Sequence, residues 1–308
     1  MNMEVIVPII LTVISAATPL LFAATGELVA EKSGVLNLGV EGMMLVGAVT
    51  AFAVTVTTGS AIVGIVCAVF AGAAMALVFG VLTLSLLANQ VATGLALTLF
   101  GVGFSSLLGL GFVGQPVERL PTLNIPVLSD IPVLGQVLFA HDALTYLSVI
   151  MVVVVAWFLY RTRPGLILRA VGESHEAAHS IGYHVIRIRY LAVLFGGAMA
   201  GLAGAFLSLS YTPMWVENMT AGRGWIALAL VVFATWHPWR VLFGAYMFGA
   251  ITILQLHAQG FGVAIPSQFL SMLPYLVTIA VLVLISRDSS RVKLNAPACI
   301  GKMFHPAA

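Results

Sequence analysis

Apolar runs of about twenty residues follow one another along almost the whole chain. A run of this length lets one helix cross the roughly 30 Å hydrocarbon core of a bilayer. Inside lipid, only a helix or a closed barrel pairs every backbone N–H and C=O group. With 61% hydrophobic and only 8% charged residues, the chain has too little polar surface for a water-soluble domain. The sequence therefore predicts an all-α fold, a polytopic transmembrane helical bundle forming one domain over residues 1–308.

Nine apolar windows are candidate spans. The run that ends at Trp236 is short for a full crossing and is followed by Pro238, which favours a broken or half helix. Eight spans is therefore the alternative count. The candidate windows are 5–25, 36–57, 60–87, 91–113, 143–160, 190–210, 225–236, 238–258 and 269–286.

The orientation of these spans follows from a central polar segment, residues 161–189, which holds five arginines against two glutamates. Cytoplasmic loops carry an excess of Lys and Arg, so we expect this segment in the cytoplasm. Counting backward places residues 115–142 outside, and the start of the chain outside if all nine spans are real. Counting forward returns the later basic residues to the cytoplasm: Arg287, Arg291, Lys293 and Lys302.

The external segment 115–142 has a proline every five or six residues between Pro116 and Pro132. Such spacing forbids a regular helix and predicts an ordered external loop or cap.

Small residues recur at four-residue spacing in two of the spans. Lipid gives helices no hydrophobic reason to associate, so close contact through small residues is what packs such bundles. We therefore interpret these positions as packing faces: Ala68, Gly72, Ala76 and Gly80 in one span, and Gly197, Gly201 and Ala205 in another.

Several other features are missing from the sequence. The first four residues lack the positive region of a cleavable signal peptide. Cys67 and Cys299 are expected too far apart to pair, and no basic stripe suited to nucleic acid occurs. The Gly301–Lys302 pair does not complete a phosphate-binding loop. No cofactor is expected on this chain, and ATP-driven work would need a motor on another polypeptide.

Within the polar segment, residues 176–182 read EAAHSIG. This pattern predicts a short helix that ends at Gly182, whose tolerance of positive φ lets the chain turn back sharply. The result is a compact knob that could fit a groove on a soluble partner. An ordinary amphipathic linker is the alternative interpretation.

The same segment contains a second pattern, HEAAH at residues 175–179. In zinc metalloproteases, two histidines one helical turn apart hold the metal and the glutamate activates water. His175, Glu176 and His179 therefore form the alternative hypothesis of an intramembrane zinc metalloprotease. The polar surroundings and the absence of an obvious third ligand argue against it.

Residues 26–47 concentrate ionisable and amide groups at the start of a membrane span. Such groups are expensive inside a membrane and usually functional. Asn37 and Glu41 are one helical turn apart, so we expect them to share a face, and nearby glycines allow a bent or unwound entry. We expect Asn37 and Glu41 either in a translocation path or simply at the membrane boundary.

A glycine turn at residues 222–224 carries Arg223. The topology above places it outside, against the usual bias of basic residues. It is a candidate for external docking of an acidic partner, although a lone arginine is usually just solvated.

Three stretches together resemble one family: GELVAEKSGVLNLGVEGMMLVGA at 26–48, RAVGESHEAAHSIG at 169–182 and MTAGRGWIALALVVF at 219–233. The chain is similar to permease subunits of the branched-chain amino acid, simple sugar and nucleoside branch of bacterial ABC importers. It looks most like the shorter of the two permeases in nucleoside and simple-sugar systems.

This resemblance implies a multi-pass protein of the cell (inner) membrane without enzymatic activity of its own. It also implies a second related permease, ATPase subunits that bind ATP and Mg, and an extracytoplasmic solute-binding protein. The 161–189 loop would then be a cytoplasmic coupling loop. The residues that would couple to the ATPase are Gly172, Glu173, Glu176, Ala177, Ala178 and Gly182.

Other functions remain open alternatives. A scaffold protein would co-purify without an ATPase, and a secondary transporter would need more intramembrane ionisable groups to bind a coupling ion. The sequence does not distinguish a nucleoside from a pentose, a hexose or an amino acid as cargo.

Overall fold

The computed structural model describes residues 3–124, 134–260 and 295–305, with a few single positions between 269 and 283. The described chain is mostly helical. Its long helices are α1 (Met3–Lys32), α2 (Val40–Thr58), α3 (Ala61–Gly80), α4 (Gln90–Gly109), α6 (Ala143–Arg161), α9 (Val185–Phe206) and α11 (Pro238–Gly260); the shorter ones are α5 (Leu134–Phe139), α7 (Arg163–Glu173), α8 (His175–Ser180) and α10 (Arg223–Phe233).

Seven helices in the described part of the chain are long and apolar enough to cross a membrane. They confirm a multi-pass helical bundle. The windows predicted from the sequence match them closely, except that α1 continues beyond residue 25 to Lys32 and α9 begins earlier, at Val185. The predicted ninth window, 269–286, lies largely outside the described residues.

The apolar run before Pro238 forms the eleven-residue helix α10. At 1.5 Å per residue it is about 16 Å long, half of what a full crossing needs. The half helix predicted for this run is therefore correct. Sharp turns flank it on both sides, since Ala221 and Gly222 before it and Thr235 and Trp236 after it have positive φ.

The centre of the bundle is built by α1, α2 and α9. The small residues predicted as packing faces meet here, with Gly72 and Ala68 of α3 lying against Gly197 and Gly201 of α9. A Cβ built on Gly47 of α2 would lie 2.6 Å from Gly201 Cα. Close contact between helix backbones thus stabilises the bundle, because lipid provides no hydrophobic effect to bring the helices together.

At one end of the bundle, α7, α8 and residues 295–305 pack around the end of α1 and the start of α9. We call this the basic end, because the arginines of the polar segment lie there. Both α3 and α9 finish in a π-helical turn, α3 at the basic end (Val81–Ser85) and α9 at the opposite, far end (Leu207–Tyr211).

The far end also carries the proline-rich segment. Its strand β1 (Thr122–Asn124) pairs antiparallel with β2 (Ala140–Asp142). Here the sequence prediction is partly wrong, because a short helix, α5, forms after Pro132 where no further proline interrupts the chain. The buried Asp142 caps α6 by accepting from Thr145 N, and also accepts from Ser210 Oγ at 2.7 Å. It thereby ties this segment to the end of α9.

Candidate functional site

Glu41, in the first turn of α2, is buried, and its carboxylate holds the beginning of α10. Oε1 accepts from Thr220 Oγ1 at 2.5 Å and from Gly222 N at 2.8 Å, and Oε2 accepts from Gly224 N at 2.5 Å. The first N–H groups of a helix lack partners in the helix, and its N-terminus carries partial positive charge. A carboxylate satisfies both needs, so Glu41 is an interior group and no lipid-boundary residue.

This contact lies well inside the bundle. Gly42, the next residue, packs against Leu97 and Thr98 of α4. Gln90 begins α4 at the basic end, where its side chain accepts from Leu36 N. Leu97 lies seven residues further along, so Glu41 is roughly 10 Å from the basic end of α4.

Gly224 permits the close approach of α10 to Glu41. A Cβ added there would lie 2.6 Å from Glu41 Cα and from Glu41 N. Those atoms belong to the backbone of a packed helix and cannot move aside easily. A residue with a side chain at position 224 would therefore push α10 away from Glu41.

Arg223, between the two glycines, differs in position from the sequence prediction. It begins α10 beside Glu41, half-buried, instead of lying in an open external turn. Its guanidinium donates to Met219 O and Thr220 O and lies 5.2 Å from the centre of the Tyr211 ring. The placement is corrected by these contacts, while a role in docking stays a prediction.

The chain between α1 and α2, residues 33–39, forms an elbow. Asn37 lies in this elbow, before α2 begins, so the prediction that it shares a helical face with Glu41 is wrong. Its Oδ1 accepts from Gly39 N at 2.9 Å, and its own N–H donates to Glu27 Oε1 at 3.1 Å. The unwound entry predicted from the glycines is therefore correct, and Asn37 stabilises it.

Two further carboxylates lie on α1 next to this elbow. Glu27 and Glu31 are both buried and stand one helical turn apart. Glu31 Oε2 accepts from the indole N–H of Trp236, in the turn that follows α10. Glutamates on α1 and α2 thus contact both the turn after α10 and the turn before it.

The predicted knob is present at the basic end. Ser174 caps α8 by accepting from Ala177 N at 3.2 Å, and Gly182, at φ +93°, turns the chain after it with its N–H donating to His179 O. Gly172 and Ala178 are buried, whereas Glu173, Glu176, Ala177 and Gly182 are exposed. The knob therefore presents one polar face to the outside, and its role in coupling stays a prediction.

The histidines of HEAAH are engaged in packing. His175 is buried with its Nδ1 3.2 Å from Arg189 Nη2, and the rings of His175 and His179 both meet Phe304 edge-on. Burial and the charge of Arg189 lower the pKa of His175. In the described part of the chain, no group of three metal-ligating side chains is found. A guanidinium beside Nδ1 would repel a metal ion, so nothing here supports the protease hypothesis.

Residues 295–305 brace the knob. Cys299 N donates to Gly172 O at 2.9 Å and Gly301 N to Gly34 O at 3.1 Å. The buried Arg189 donates to Ser33 O and Lys302 O. One arginine thus connects α9, the end of α1, α8 and the 295–305 segment.

Sequence reasoning missed two of these features. It treated Arg189 as one more charge of a cytoplasmic loop, and nothing in the pattern distinguished this arginine from its exposed neighbours. It also missed the pairing of Glu41 with the 222–224 turn, although both were singled out separately. The available signal for this pairing was that a buried carboxylate needs hydrogen-bond donors and that a glycine turn has free N–H groups to donate.

Comparison with known proteins places these features in context. The family described as branched-chain amino acid transport system / permease component matches residues 9–284. A candidate glucose ABC transporter permease of Haloferax volcanii is 43% identical over 95% of both chains. A nucleoside ABC transporter permease of Lactococcus lactis is 33% identical over 87% of this chain and 89% of its own. A second glucose ABC transporter permease of Haloferax volcanii is 26% identical over 78% of this chain and 67% of its own. No solved structure matches the chain.

Proposed function

Since the chain belongs to the family of branched-chain amino acid transport system permease components, we propose that it is the membrane subunit of an ATP-driven importer for a simple sugar or a nucleoside. The solute class follows from its relatives, which are named for glucose and nucleosides. The observation that supports a transport path through this chain is an incomplete membrane crossing, in which the half helix α10 begins beside Glu41.

Residues 212–222 descend from the end of α9 to Glu41 without regular structure. Irregular backbone at membrane depth is tolerated only where it is buried in protein or lines a water-filled cavity. Glu217 and Asn218 in this stretch are exposed, and Glu217 accepts from Ser106 Oγ of α4 at 2.9 Å. Exposed polar groups here favour a cavity over contact with lipid.

The path we propose therefore runs along the α4 side of residues 212–222 toward the beginning of α10. Glu41 and the elbow residue Asn37 stabilise its inner part. Transporters commonly place such interrupted helices at the substrate site. Movement of α10 relative to Glu41 would open or close the path, because the two are held together by only a few hydrogen bonds.

Energy would enter through the knob formed by α8. In this proposal the exposed residues Glu173, Glu176, Ala177 and Gly182 face the ATPase, while Gly172 and Ala178 pack the knob onto the bundle. Because residues 295–305 and Arg189 join the knob to α1 and α9, its displacement would move both central helices together. ATP and Mg would be bound by the ATPase.

The remaining partners are a second permease and an extracytoplasmic binding protein. Haloferax volcanii has two glucose permeases, one much more similar to this chain than the other. This supports a heteromer of two related permeases. A binding protein can drive transport only if it prefers one conformation of the pair.

The test is uptake of labelled glucose, guanosine and leucine into proteoliposomes that contain the permease with its co-expressed ATPase and binding protein. We expect ATP-dependent uptake of a sugar or a nucleoside.

Gly224→Ala should reduce uptake at least tenfold at normal membrane levels, because its Cβ would meet the Glu41 backbone. Gly103→Ala is the matched control, since a Cβ there meets nothing within 4 Å. Normal uptake by Gly224→Ala would remove α10 from the path.

A further inference from the structure

A cavity away from the Glu41 contact opens at the basic end, on the α7 side of the knob. Its volume is about 270 Å³. It lies where α6 passes into α7, between α1 and residues 295–305. The side chains that line it include Lys32, Tyr160, Leu166, Arg169 and Glu173.

Positive charge dominates this cavity. Lys32 and Arg169 are close enough to repel each other, and Arg240 acts on Tyr160 from the start of α11. Glu173 is the carboxylate among the lining residues. Two cations and one carboxylate line the cavity, and Arg240 adds a third positive charge beside it, so the site is net positive and would attract an anion.

Two of the polar atoms here lack partners. The buried Arg169 Nε and the buried His237 Nδ1 have no hydrogen-bond partner among the described residues. Buried polar atoms are nearly always satisfied in folded proteins, and unsatisfied ones ask for an explanation. A bound ligand with oxygen acceptors would provide the missing hydrogen-bond partner of Arg169.

The Tyr160 ring holds this arrangement in place. The Arg169 guanidinium lies 5.0 Å from the centre of the ring, and the His237 ring stacks at 5.4 Å with an interplanar angle of 29°. Guanidinium groups stacked on aromatic faces keep their edges free for planar hydrogen bonding. Arg169 is thereby oriented without using the donors that would bind an anion.

The pKa of His237 is affected by the same positive charges. Burial, together with the charges of Arg240 and Lys32, lowers the pKa of His237. The imidazole is therefore neutral at pH 7, and the positive charge of the site belongs to its lysine and arginines.

The position of the cavity along the bundle indicates where its ligand comes from. Tyr160 ends the α6 span and is partly exposed, and Trp157 and Trp239 nearby in the sequence are largely exposed. Aromatic residues of this kind collect at the membrane–water interface. The exposed Leu166 on α7 adds an apolar side chain beside the cations.

We propose that this cavity binds the phosphate of an anionic membrane lipid. Arg169 and Arg240 would contact the phosphate oxygens, and the acyl chains would lie along Trp157 and the outer face of α6. Basic pockets between helices on the cytoplasmic side of a membrane are suited to such headgroups. The site uses neither α8 nor the Glu41 contact, and it shares only Glu173 with the surface proposed above to face the ATPase.

A soluble phosphate compound could in principle occupy the same cations. The lipid is favoured because the cavity opens beside exposed apolar side chains, which a soluble anion would leave in contact with water. The acyl chains of a lipid would cover them.

The experiment measures lipid retention by the full-length chain, purified in detergent and supplemented with equal phosphatidylglycerol and phosphatidylcholine. Native mass spectrometry counts the lipids that remain bound. We expect the wild-type chain to retain phosphatidylglycerol preferentially. The double variant Arg169→Gln with Arg240→Gln should retain about tenfold less, roughly the effect of losing one charge-assisted hydrogen bond. Arg169→Lys should lose part of this retention, because lysine cannot present a planar fork.

The single variant Arg169→Gln should also retain less lipid, and its control removes one charge elsewhere at the same end. Arg187→Gln, at the exposed start of α9, should leave retention unchanged. Equal loss in the Arg187→Gln and Arg169→Gln variants would overturn the site, as would equal retention of the two lipids by the wild-type chain. Displacement of the lipid by millimolar inorganic phosphate would assign the cations to a soluble anion and contradict the lipid proposal. Uptake is not needed for this measurement, so its outcome is independent of the proposed transport function.

Discussion

At the scale of single residues, the carboxylate of Glu41 joins α2 to the turn before α10. It accepts three hydrogen bonds from one turn, and two of them come from backbone N–H groups. The sequence placed this glutamate near the start of a membrane span but left open whether it lies inside the bundle or at the membrane boundary. Its partners were not predictable, because they lie some 180 residues further along the chain.

Replacing Glu41 separates charge from hydrogen bonding. Glu41→Gln keeps one acceptor oxygen and should retain part of the transport activity. Glu41→Leu leaves the donors of Thr220, Gly222 and Gly224 buried without an acceptor, and each such loss costs about 1–3 kcal/mol. We expect Glu41→Leu to abolish uptake in the proteoliposome assay. Unchanged uptake by Glu41→Leu, at normal protein levels, would exclude this residue from the path.

His175 predicts a pH dependence of the basic end. Because burial and Arg189 hold its pKa below the ordinary value of about 6.5, the unfolded chain takes up this proton more readily than the folded one. Its contribution to stability is therefore complete above about pH 6.5 and is lost progressively as the pH falls below that value. Hydrogen exchange of residues 299–304 should accelerate between pH 7.5 and pH 5.5.

His175→Gln is the control for this effect. Glutamine does not titrate, so exchange in the variant should change less over the same pH range, after correction for intrinsic exchange rates. The same acceleration in both chains would assign the pH dependence to other groups.

At the scale of elements, the short helices carry the candidate functions. The half helix α10 and the knob helix α8 were both foreseen, the first from the length of its apolar run and the second from a short helix ended by glycine. Their orientation was not foreseeable. Which end of α10 meets α2, and which face of α8 turns outward, depends on contacts between segments that are distant in sequence.

The knob gives the prediction at this scale. Gly182 has φ +93°, whereas proline requires φ near −65°. Gly182→Pro should therefore leave insertion intact but reduce substrate-stimulated ATP hydrolysis of the assembled complex by at least fivefold.

Glu176→Lys should weaken ATPase association through its exposed charge. His179→Ala is the mild comparison, because that exposed imidazole contributes only a ring contact with Phe304. Normal substrate-stimulated ATP hydrolysis by the Gly182→Pro complex would contradict the proposal that the knob couples to the ATPase.

At the scale of the whole molecule, hydropathy alone was enough to predict a helical membrane bundle, and four-residue spacing of small residues was enough to predict packing faces on α3 and α9, although not that these two faces meet. Sequence alone did not reveal that Glu27, Glu31 and Lys32 belong to the end of α1, since charged residues usually mark a boundary. They are buried here because the elbow, α10 and residues 295–305 close over them. Such closure is a tertiary effect that no local pattern contains.

The bracing of α1 and α8 by residues 295–305 has a consequence for biogenesis. This segment leaves the ribosome after every helix that it contacts, so the end of α1 and the α8 knob stay unbraced until synthesis has passed residue 305. A chain broken off earlier could insert its helices normally and still lack the bonds from Cys299 and Gly301. In the complex proposed above, assembly with the ATPase would then distinguish finished from unfinished chains.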